Sequence, residues 1–224
     1  MISKQLRIHA SEFLNKTIEE IEDLIKSNPD RAINDWNNKN SIKDFYKTTD
    51  VYIYGLIGFW DNERLSNILH PIRNITGNKI LDYGAGIGVL PIILGEKNQC
   101  YYYDLPSKTQ DFARFLNSKT GNRITFIEKE EEIFTQKFDM IITTDVLEHL
   151  ENPLEIVKKL TKCLESKGFF FTTGLDFSWG PHTPMHLTEN LKVKEEYMEF
   201  MFENYKLYFF HSTPKESIYV WVKQ

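Results

Sequence analysis

The sequence predicts an α/β fold with a doubly wound, mostly parallel sheet behind a helical N-terminal segment. From Ile80 onward, short apolar runs alternate with amphipathic segments, which is the pattern of consecutive strand–helix–strand units. The first apolar run passes through a glycine-rich turn into a helix, as expected at the ligand-binding edge of such a sheet. The last two runs are separated by a short polar turn, which indicates an antiparallel hairpin at one edge.

We predict seven strands and four helices in this part of the chain. The strands are Ile80–Tyr83, Cys100–Asp104, Ile124–Glu128, Phe138–Thr143, Gly168–Thr173, Lys206–His211 and Ile218–Lys223. The helices are Gly88–Leu94, Lys108–Asn117, Pro153–Glu165 and a segment around Leu191–Phe202.

The N-terminal segment is predicted to be a helical cap. Apolar residues from Phe13 to Ile25 recur at helical spacing and predict one amphipathic first helix, which Asn28-Pro29-Asp30 is predicted to end. Aromatic residues then become frequent, and we expect them either to pack the cap onto the sheet or to line a lid over a substrate. The lid candidates are Tyr46, Tyr52, Tyr54, Trp60 and, in a later loop, Trp179. We therefore divide the chain into a cap, residues 1–76, and a ligand-binding domain, residues 77–224.

Composition argues against a nucleic-acid or membrane partner. The formal net charge is −5, and the densest charged run, Glu128–Glu132, is acidic, whereas nucleic-acid binders carry a basic surface. No apolar run approaches the ~20 residues that span a bilayer. The two cysteines, Cys100 and Cys163, lie in apolar patterns and are expected to be buried thiols. We expect a cytoplasmic monomer or homodimer that acts on a small molecule.

The glycine-rich turn is the first candidate binding feature. An apolar strand ends in Asp82 and continues through three alternating glycines into a helix. Glycines accept positive φ and let a ligand approach the backbone. A dinucleotide-binding turn is the competing interpretation, but its G-x-G-x-x-G pattern would require glycine where Val89 stands.

Asp104 is the second candidate feature. It ends the next predicted strand, 20 residues after Gly84, where a carboxylate can accept hydrogen bonds from both hydroxyls of a ribose. Nicotinamide enzymes place an acid similarly, and Asp-Leu-Pro is also favourable turn chemistry. Its distance from the glycine turn favours the ribose interpretation.

A third motif, F-D-x-I-x-x-x-D-V-L-E-H-L, spans residues 138–150. With all three motifs in order, residues 78 to 224 resemble the class I S-adenosylmethionine-dependent methyltransferases, including the ubiquinone-biosynthesis type. The resemblance implies a Rossmann-like, seven-stranded methyltransferase sheet with one reversed strand near an edge. It implies that the methionine end of S-adenosylmethionine contacts Asp82 and the turn, the ribose contacts the end of the second strand, and the sulfonium borders the fourth-strand motif. The implied cofactor-binding residues are Asp82, Gly84, Ala85, Gly86, Gly88, Asp104, Leu105, Asp145 and Val146. No residue is assigned to the adenine.

Methyl transfer also requires an aligned nucleophile and, for a hydroxyl acceptor, a base or a metal. The catalytic candidates are Glu148, His149, His182 and His186. Asp145, Glu148 and His149 share one face if their segment is helical, and the two later histidines follow the fifth strand, whose loop should overhang the same pocket. The pattern resembles metal-assisted O-methyltransferases of ubiquinone-precursor catechols and of the 3′-terminal ribose of small RNAs, although both have Glu where this chain has Asp145. An E-H pair is also widespread in methyltransferases without a metal, where it shapes the pocket, so a divalent metal is an alternative and no metal ligand is assigned.

The sequence thus predicts methyl transfer from S-adenosylmethionine to an oxygen or nitrogen of a small molecule. The alternatives are a non-catalytic S-adenosylmethionine-binding protein of the same fold and a metal-assisted RNA or protein methyltransferase, which the acidic balance disfavours.

Overall fold

The computed structural model describes residues 2–60, 62–121, 124–174, 185–213 and 217–224. It contains one sheet whose seven strands are β1 (Lys79–Tyr83), β2 (Gln99–Tyr103), β3 (Thr125–Phe126), β4 (Phe138–Thr143), β5 (Leu164–Thr173), β6 (Tyr205–Ser212) and β7 (Ser217–Lys223). Their order is β3-β2-β1-β4-β5-β7-β6. Strands β1 to β5 pair in parallel, and β7 is antiparallel to both β5 and β6. The predicted fold class is confirmed.

Helices cover both faces of the sheet. The helices are α1 (Ile2–Leu14), α2 (Ile18–Asn37), α3 (Ile42–Thr48), α4 (Val51–Phe59), α5 (Asn62–Leu69), α6 (Val89–Leu94), α7 (Lys108–Ser118), α8 (Pro153–Lys162) and α9 (Val193–Asn204). Short 3-10 helices occupy Glu130–Thr135, Leu147–His149 and Thr188–Lys192. None of the helices among the described residues is long and apolar enough to cross a lipid bilayer.

Neighbouring residues of the central strands face opposite cores, as the alternation of side chains along a strand requires. Ile80 and Ile142 pack with Ile53 and Ile57 of α4 and with parts of α1, α2 and α7. Leu81 and its neighbours on the other face pack with α8 and α9. Because both faces are buried, the central strands are nearly continuous apolar runs rather than alternating ones.

The predicted single first helix is wrong. Helix α1 ends at Leu14, the next residue, Asn15, has a left-handed φ of 52°, and α2 begins after Thr17. A capping box forms this start: the Glu20 N–H donates to the Thr17 hydroxyl at 3.2 Å, and the Thr17 N–H donates to the Glu20 carboxylate at 2.7 Å. The apolar spacing continues across the break, so periodicity alone did not reveal it.

The predicted stop at Asn28-Pro29-Asp30 is also wrong. Helix α2 runs through Pro29 to Asn37 and buries residues on both sides of the proline, Ile21 before it and Ala32 and Trp36 after it. Proline removes one backbone donor, but the packing of both halves outweighs that loss. At the other end of the chain, α8 stops at Lys162 instead of the predicted Glu165, because Leu164 already pairs with Phe138 in β5.

Candidate active site

A cavity of about 1040 Å³ lies at the carboxyl ends of β1, β2 and β4. Its walls combine the glycine turn after β1, the end of β2 and the turn after β4 with residues of α3, α4 and α5. Ligand pockets in proteins span about 300–1,000 Å³, so this cavity is at the upper end of that range.

The glycine turn forms one wall of this cavity without side chains. Gly84 and Gly86 have φ of 73° and 55°, which are left-handed values. A Cβ at Gly84 would lie 2.5 Å from Val146, and one at Gly86 would lie 2.8 Å from Leu56. The left-handed backbone favours glycine at both positions, and the contact with Val146 also leaves little room for a side chain at Gly84. The other predicted turn residues, Ala85 and Gly88, lie in the same turn, which begins α6.

Asp104 anchors this turn and also lines the cavity. Its Oδ2 accepts a hydrogen bond from the Gly86 N–H at 2.7 Å, and its Oδ1 accepts one from the Leu105 N–H at 2.7 Å. Each carboxylate oxygen has two acceptor positions, so one on each oxygen stays open to a ligand hydroxyl. Burial raises the pKa of Asp104 to about 6, against the lowering effect of the two backbone hydrogen bonds.

Asp82 is a second buried acid beneath the turn. Burial, followed by the negative charge of Asp104, raises the pKa of Asp82 to about 8. At neutral pH the two carboxyl groups therefore differ, because Asp82 holds its proton while Asp104 is largely ionised. A cationic group in the cavity would favour ionisation of Asp82.

Asp145 is held in a strained conformation directly after β4. Its φ of 50° is left-handed, and its carboxylate accepts hydrogen bonds from Arg64 at 2.5 Å and from the Thr173 hydroxyl at 3.0 Å. Burial raises the pKa of Asp145 even though Arg64 opposes the shift. The following residue, Val146, packs on Gly84. The structure thus brings the fourth-strand motif against the glycine turn.

Arg64 is a site residue that sequence reasoning missed. The guanidinium lies over the Phe59 ring, 3.5 Å from its centroid, and borders the cavity where it meets Asp145. Its place in α5 carries no distinguishing pattern in a single sequence, because an arginine on a short polar helix is ordinarily a solvent-exposed residue. The pairing joins residues 81 positions apart in the chain.

Three of the four predicted catalytic residues lie together. Glu148, His149 and His186 each offer one potential metal-ligating atom, and these three atoms all lie within 4.8 Å of one another. The predicted helical face is not formed, because Leu147–His149 is a 3-10 turn and Asp145 has left-handed backbone. The fourth candidate, His182, lies outside the described residues, as does Trp179.

The hydrogen bonds of His149 define its chemistry. Its Nδ1 lies 3.1 Å from the Met185 carbonyl oxygen, and because a carbonyl only accepts, Nδ1 carries the proton. Burial lowers the pKa of His149 to about 4. The imidazole is therefore neutral near pH 7, with an unprotonated Nε2 that can take a proton or bind a metal.

Glu148, His149 and His186 offer one oxygen and two nitrogens, a set that suits a divalent transition metal. Asp145 does not belong to this group of donors, since its carboxylate pairs with Arg64. A metal at this cluster would have one carboxylate ligand, whereas an acidic-x-x-Glu-His set would supply two.

Aromatic residues of the cap face this cluster. The Tyr46 and Tyr52 hydroxyls lie 3.4 Å apart, and the Tyr46 ring is 6.2 Å from the His149 ring. Both tyrosines and Trp60 line the cavity. Tyr54 instead belongs to the core between cap and sheet, where it is 1% exposed.

Comparison with known proteins identifies the family. Residues 59–223 match the family defined by a methyltransferase domain. The chain belongs to this methyltransferase family. Its curated relatives include the ubiquinone biosynthesis O-methyltransferase of Vibrio cholerae serotype O1, which is 25% identical over 118 residues, covering 50% of this chain and 48% of the relative. The methyltransferase-family chain therefore spans about half the length of the curated relatives it matches.

Solved structures show the same methyltransferase fold. TehB from Haemophilus influenzae superimposes with a TM-score of 0.56 at 17% identity, covering 76% of this chain and 66% of TehB. The magnesium protoporphyrin IX methyltransferase ChlM from Synechocystis PCC 6803, solved with bound SAH, gives a TM-score of 0.52 at 18% identity, covering 72% and 81% of the two chains.

Proposed function

We propose that this protein transfers a methyl group from S-adenosylmethionine to an oxygen or nitrogen of a small-molecule acceptor. The observation that carries the proposal is the single cavity that extends from the glycine turn and Asp104, past Asp145, to His149 and His186. One end suits a nucleoside with an amino acid tail, and the other end has a base beside aromatic walls. The net charge of −5 supports a small acceptor over a nucleic acid.

The polar groups at the cofactor end support binding of S-adenosylmethionine. The open acceptor positions of Asp104 suit the two ribose hydroxyls, and the side-chain-free turn at Gly84 and Gly86 suits the methionine backbone. Arg64 lines the cavity, and we propose that its guanidinium binds the ligand carboxylate. When bound, S-adenosylmethionine supplies an activated methyl group whose leaving group is a neutral thioether.

The acceptor end is formed by the cap. We propose that residues 1–76 cover the pocket and that Tyr46 and Tyr52 contact the acceptor. Tyr52 donates its hydroxyl proton to the Tyr46 oxygen, so the Tyr46 proton is available to an acceptor molecule. Burial raises the pKa of Tyr46 well above its ordinary value, and the hydroxyl therefore stays a donor at neutral pH.

His149 is the proposed base. When methyl transfer leaves the acceptor atom with a proton to lose, Nε2 of His149 would take that proton. The Glu148 carboxylate, within 4.8 Å, stabilises the imidazolium that forms. Proton transfer of this kind contributes about 10²–10⁴-fold in rate.

A metal-assisted version of this reaction is the second candidate, since Glu148, His149 and His186 converge. Activity lost with EDTA and restored by Mg²⁺ or another divalent ion would support it. Activity unchanged by EDTA would support the metal-free base.

The primary test measures binding and turnover separately. Calorimetry should show S-adenosylmethionine and SAH binding, and incubation with metabolite fractions should release SAH. His149→Ala should reduce turnover about 10²-fold or more while cofactor affinity is retained, because the base acts on the transition state. His211→Ala, an exposed histidine in β6, is the matched control. Binding without turnover would indicate a non-catalytic member of the fold, and binding of NADH instead of S-adenosylmethionine would contradict the proposal.

A further inference from the structure

The segment Met185–Asn190 is bonded closely to the turn that carries His149. The Met185 carbonyl accepts from His149 Nδ1 at 3.1 Å, and the Leu187 N–H donates to the Glu148 carbonyl at 3.1 Å. The Asn190 side-chain amide donates to the Leu150 carbonyl at 2.7 Å and, over a longer 3.4 Å, to the Glu148 carbonyl. Hydrogen bonds therefore hold the carbonyl groups of the residues directly before and after His149.

Asn190 contributes the side chain that connects the two segments. It is 1% exposed, and its amide group reaches the carbonyls immediately before and after His149. A buried amide is costly unless its donors are used, and the bonds to these two carbonyls use the Asn190 Nδ2 donors. Its backbone N–H donates to the Leu187 carbonyl oxygen at 3.0 Å, within the 3-10 helix Thr188–Lys192.

The tautomer of His149 depends on this arrangement. Neutral imidazole can carry its proton on either nitrogen, and the hydrogen bond of one nitrogen decides the state of the other. The Met185 carbonyl selects the Nδ1–H form only while residues 185–190 stay registered with residues 148–150. The backbone hydrogen bond of Leu187 fixes this register, and the side-chain hydrogen bonds of Asn190 stabilise it further.

We propose that Asn190 is a positioning residue, which holds the Met185 carbonyl against His149 and thereby keeps Nε2 unprotonated toward the acceptor. The inference rests on the proposed role of His149 as the base. Asn190 is not one of the residues that line the cavity, so we expect its substitution to change the state of His149 rather than cofactor binding.

The test is the nitrogen-15 NMR spectrum of the histidine side chains in the full chain with SAH bound. His149→Gln identifies the His149 signals. In the wild type, His149 should show the Nδ1–H tautomer. In Asn190→Ala and in the isosteric Asn190→Asp, the same residue should show a mixture of both tautomers, with SAH affinity within about threefold of the wild type, because neither variant can donate to the two carbonyls.

Asn204→Ala is the matched control, since the Asn204 amide also donates to a backbone carbonyl, that of Phe200, but on the exposed side of α9. It should leave the His149 signals unchanged. A wild-type His149 protonated on Nε2 would overturn the inference without any variant, even if both Asn190 variants failed to fold. Folded Asn190 variants that retain a pure Nδ1–H tautomer would overturn it as well. Failure of the proposed function would give a different result. The wild type would then release no SAH, although its His149 would still show the Nδ1–H tautomer.

Discussion

The Gly86 backbone N–H donates a 2.7 Å hydrogen bond to Oδ2 of Asp104, so one carboxylate both fixes the glycine turn and faces the cavity. The strand end that is expected to bind the ribose therefore also shapes the part of the site that is expected to bind the methionine end. Substitutions at Asp104 should affect the two halves of the cofactor together.

Asp104→Ala should weaken SAH binding at least about a hundredfold. The substitution removes the charged carboxylate that is expected to accept hydrogen bonds from the two ribose hydroxyls. Each such hydrogen bond is worth about 1.5–3 kcal/mol. Asp104→Asn should have a smaller effect, because one oxygen can still accept from Gly86. Calorimetry on folded variants measures both affinities, and an Asp104→Ala protein with wild-type affinity would exclude the ribose role.

Gly86→Val should abolish SAH binding. The new side chain would start 2.8 Å from Leu56 and would require a left-handed φ of 55°. Gly77→Val is a matched control, because Gly77 has a φ of 72° but nothing within 4 Å of its Cβ position. The control should lose stability yet still bind SAH in a calorimetric titration. Equal loss of binding in both variants would assign the effect to backbone strain alone.

Arg64→Leu should weaken SAH binding but leave the binding of 5′-methylthioadenosine nearly unchanged. The second ligand lacks the amino acid end, so it has no carboxylate for the guanidinium to bind. Arg73→Leu, an exposed arginine beyond α5, should alter neither affinity. If Arg64→Leu weakens both ligands equally, Arg64 supports the fold around Asp145 rather than the ligand carboxylate.

The part of the folding stability that depends on Asp82 should fall as pH rises from about 4 to about 8. Burial raises the pKa of Asp82 to about 8, above the ordinary value of about 3.9, so the folded state binds more protons than the unfolded state in this window. The contribution is complete below the ordinary pKa and is lost as pH rises through the folded pKa. Urea unfolding should show a shallower fall for Asp82→Asn than for the wild type, and parallel pH profiles would refute the assignment.

A shortened chain that begins at Asn74 should aggregate or bind SAH poorly. Without the cap, one face of the sheet would be exposed. On this face Ile80, Met140 and Phe171 pack with the cap residues Ile53 and Ile57. Size-exclusion chromatography and calorimetry test this expectation. A monomeric, SAH-binding shortened chain would show that the cap is dispensable for the fold.

The sequence predicted those features that depend on local pattern. Strand β4 was predicted at its observed bounds, Phe138–Thr143, because five of its six residues are apolar or β-branched. The glycine turn and Asp104 followed from spacing along two adjacent parallel strands. Glu148 and His149 were recognised from the motif in which they lie.

Features that depend on distant partners were not predictable in this way. Arg64 acquires its place from Asp145, 81 residues later, and from Phe59 beneath it. The course of α2 through Pro29 is decided by the packing of Trp36 and Ile21, which local helix signals do not contain. In the sequence, Asn190 is an ordinary polar residue of a short turn. Only the fold brings the carbonyls of Glu148 and Leu150 beside it.

The antiparallel insertion of β7 between β5 and β6 has a consequence for synthesis of the chain. Residues 205–212 leave the ribosome before residues 217–223, yet β6 lies at the sheet edge with β7 as its neighbour. While β7 is still inside the ribosome, β6 has no sheet to join and the edge of β5 at Phe169–Thr173 is an open template for other strands. Until β7 pairs with it, this edge would allow intermolecular strand pairing to compete with folding.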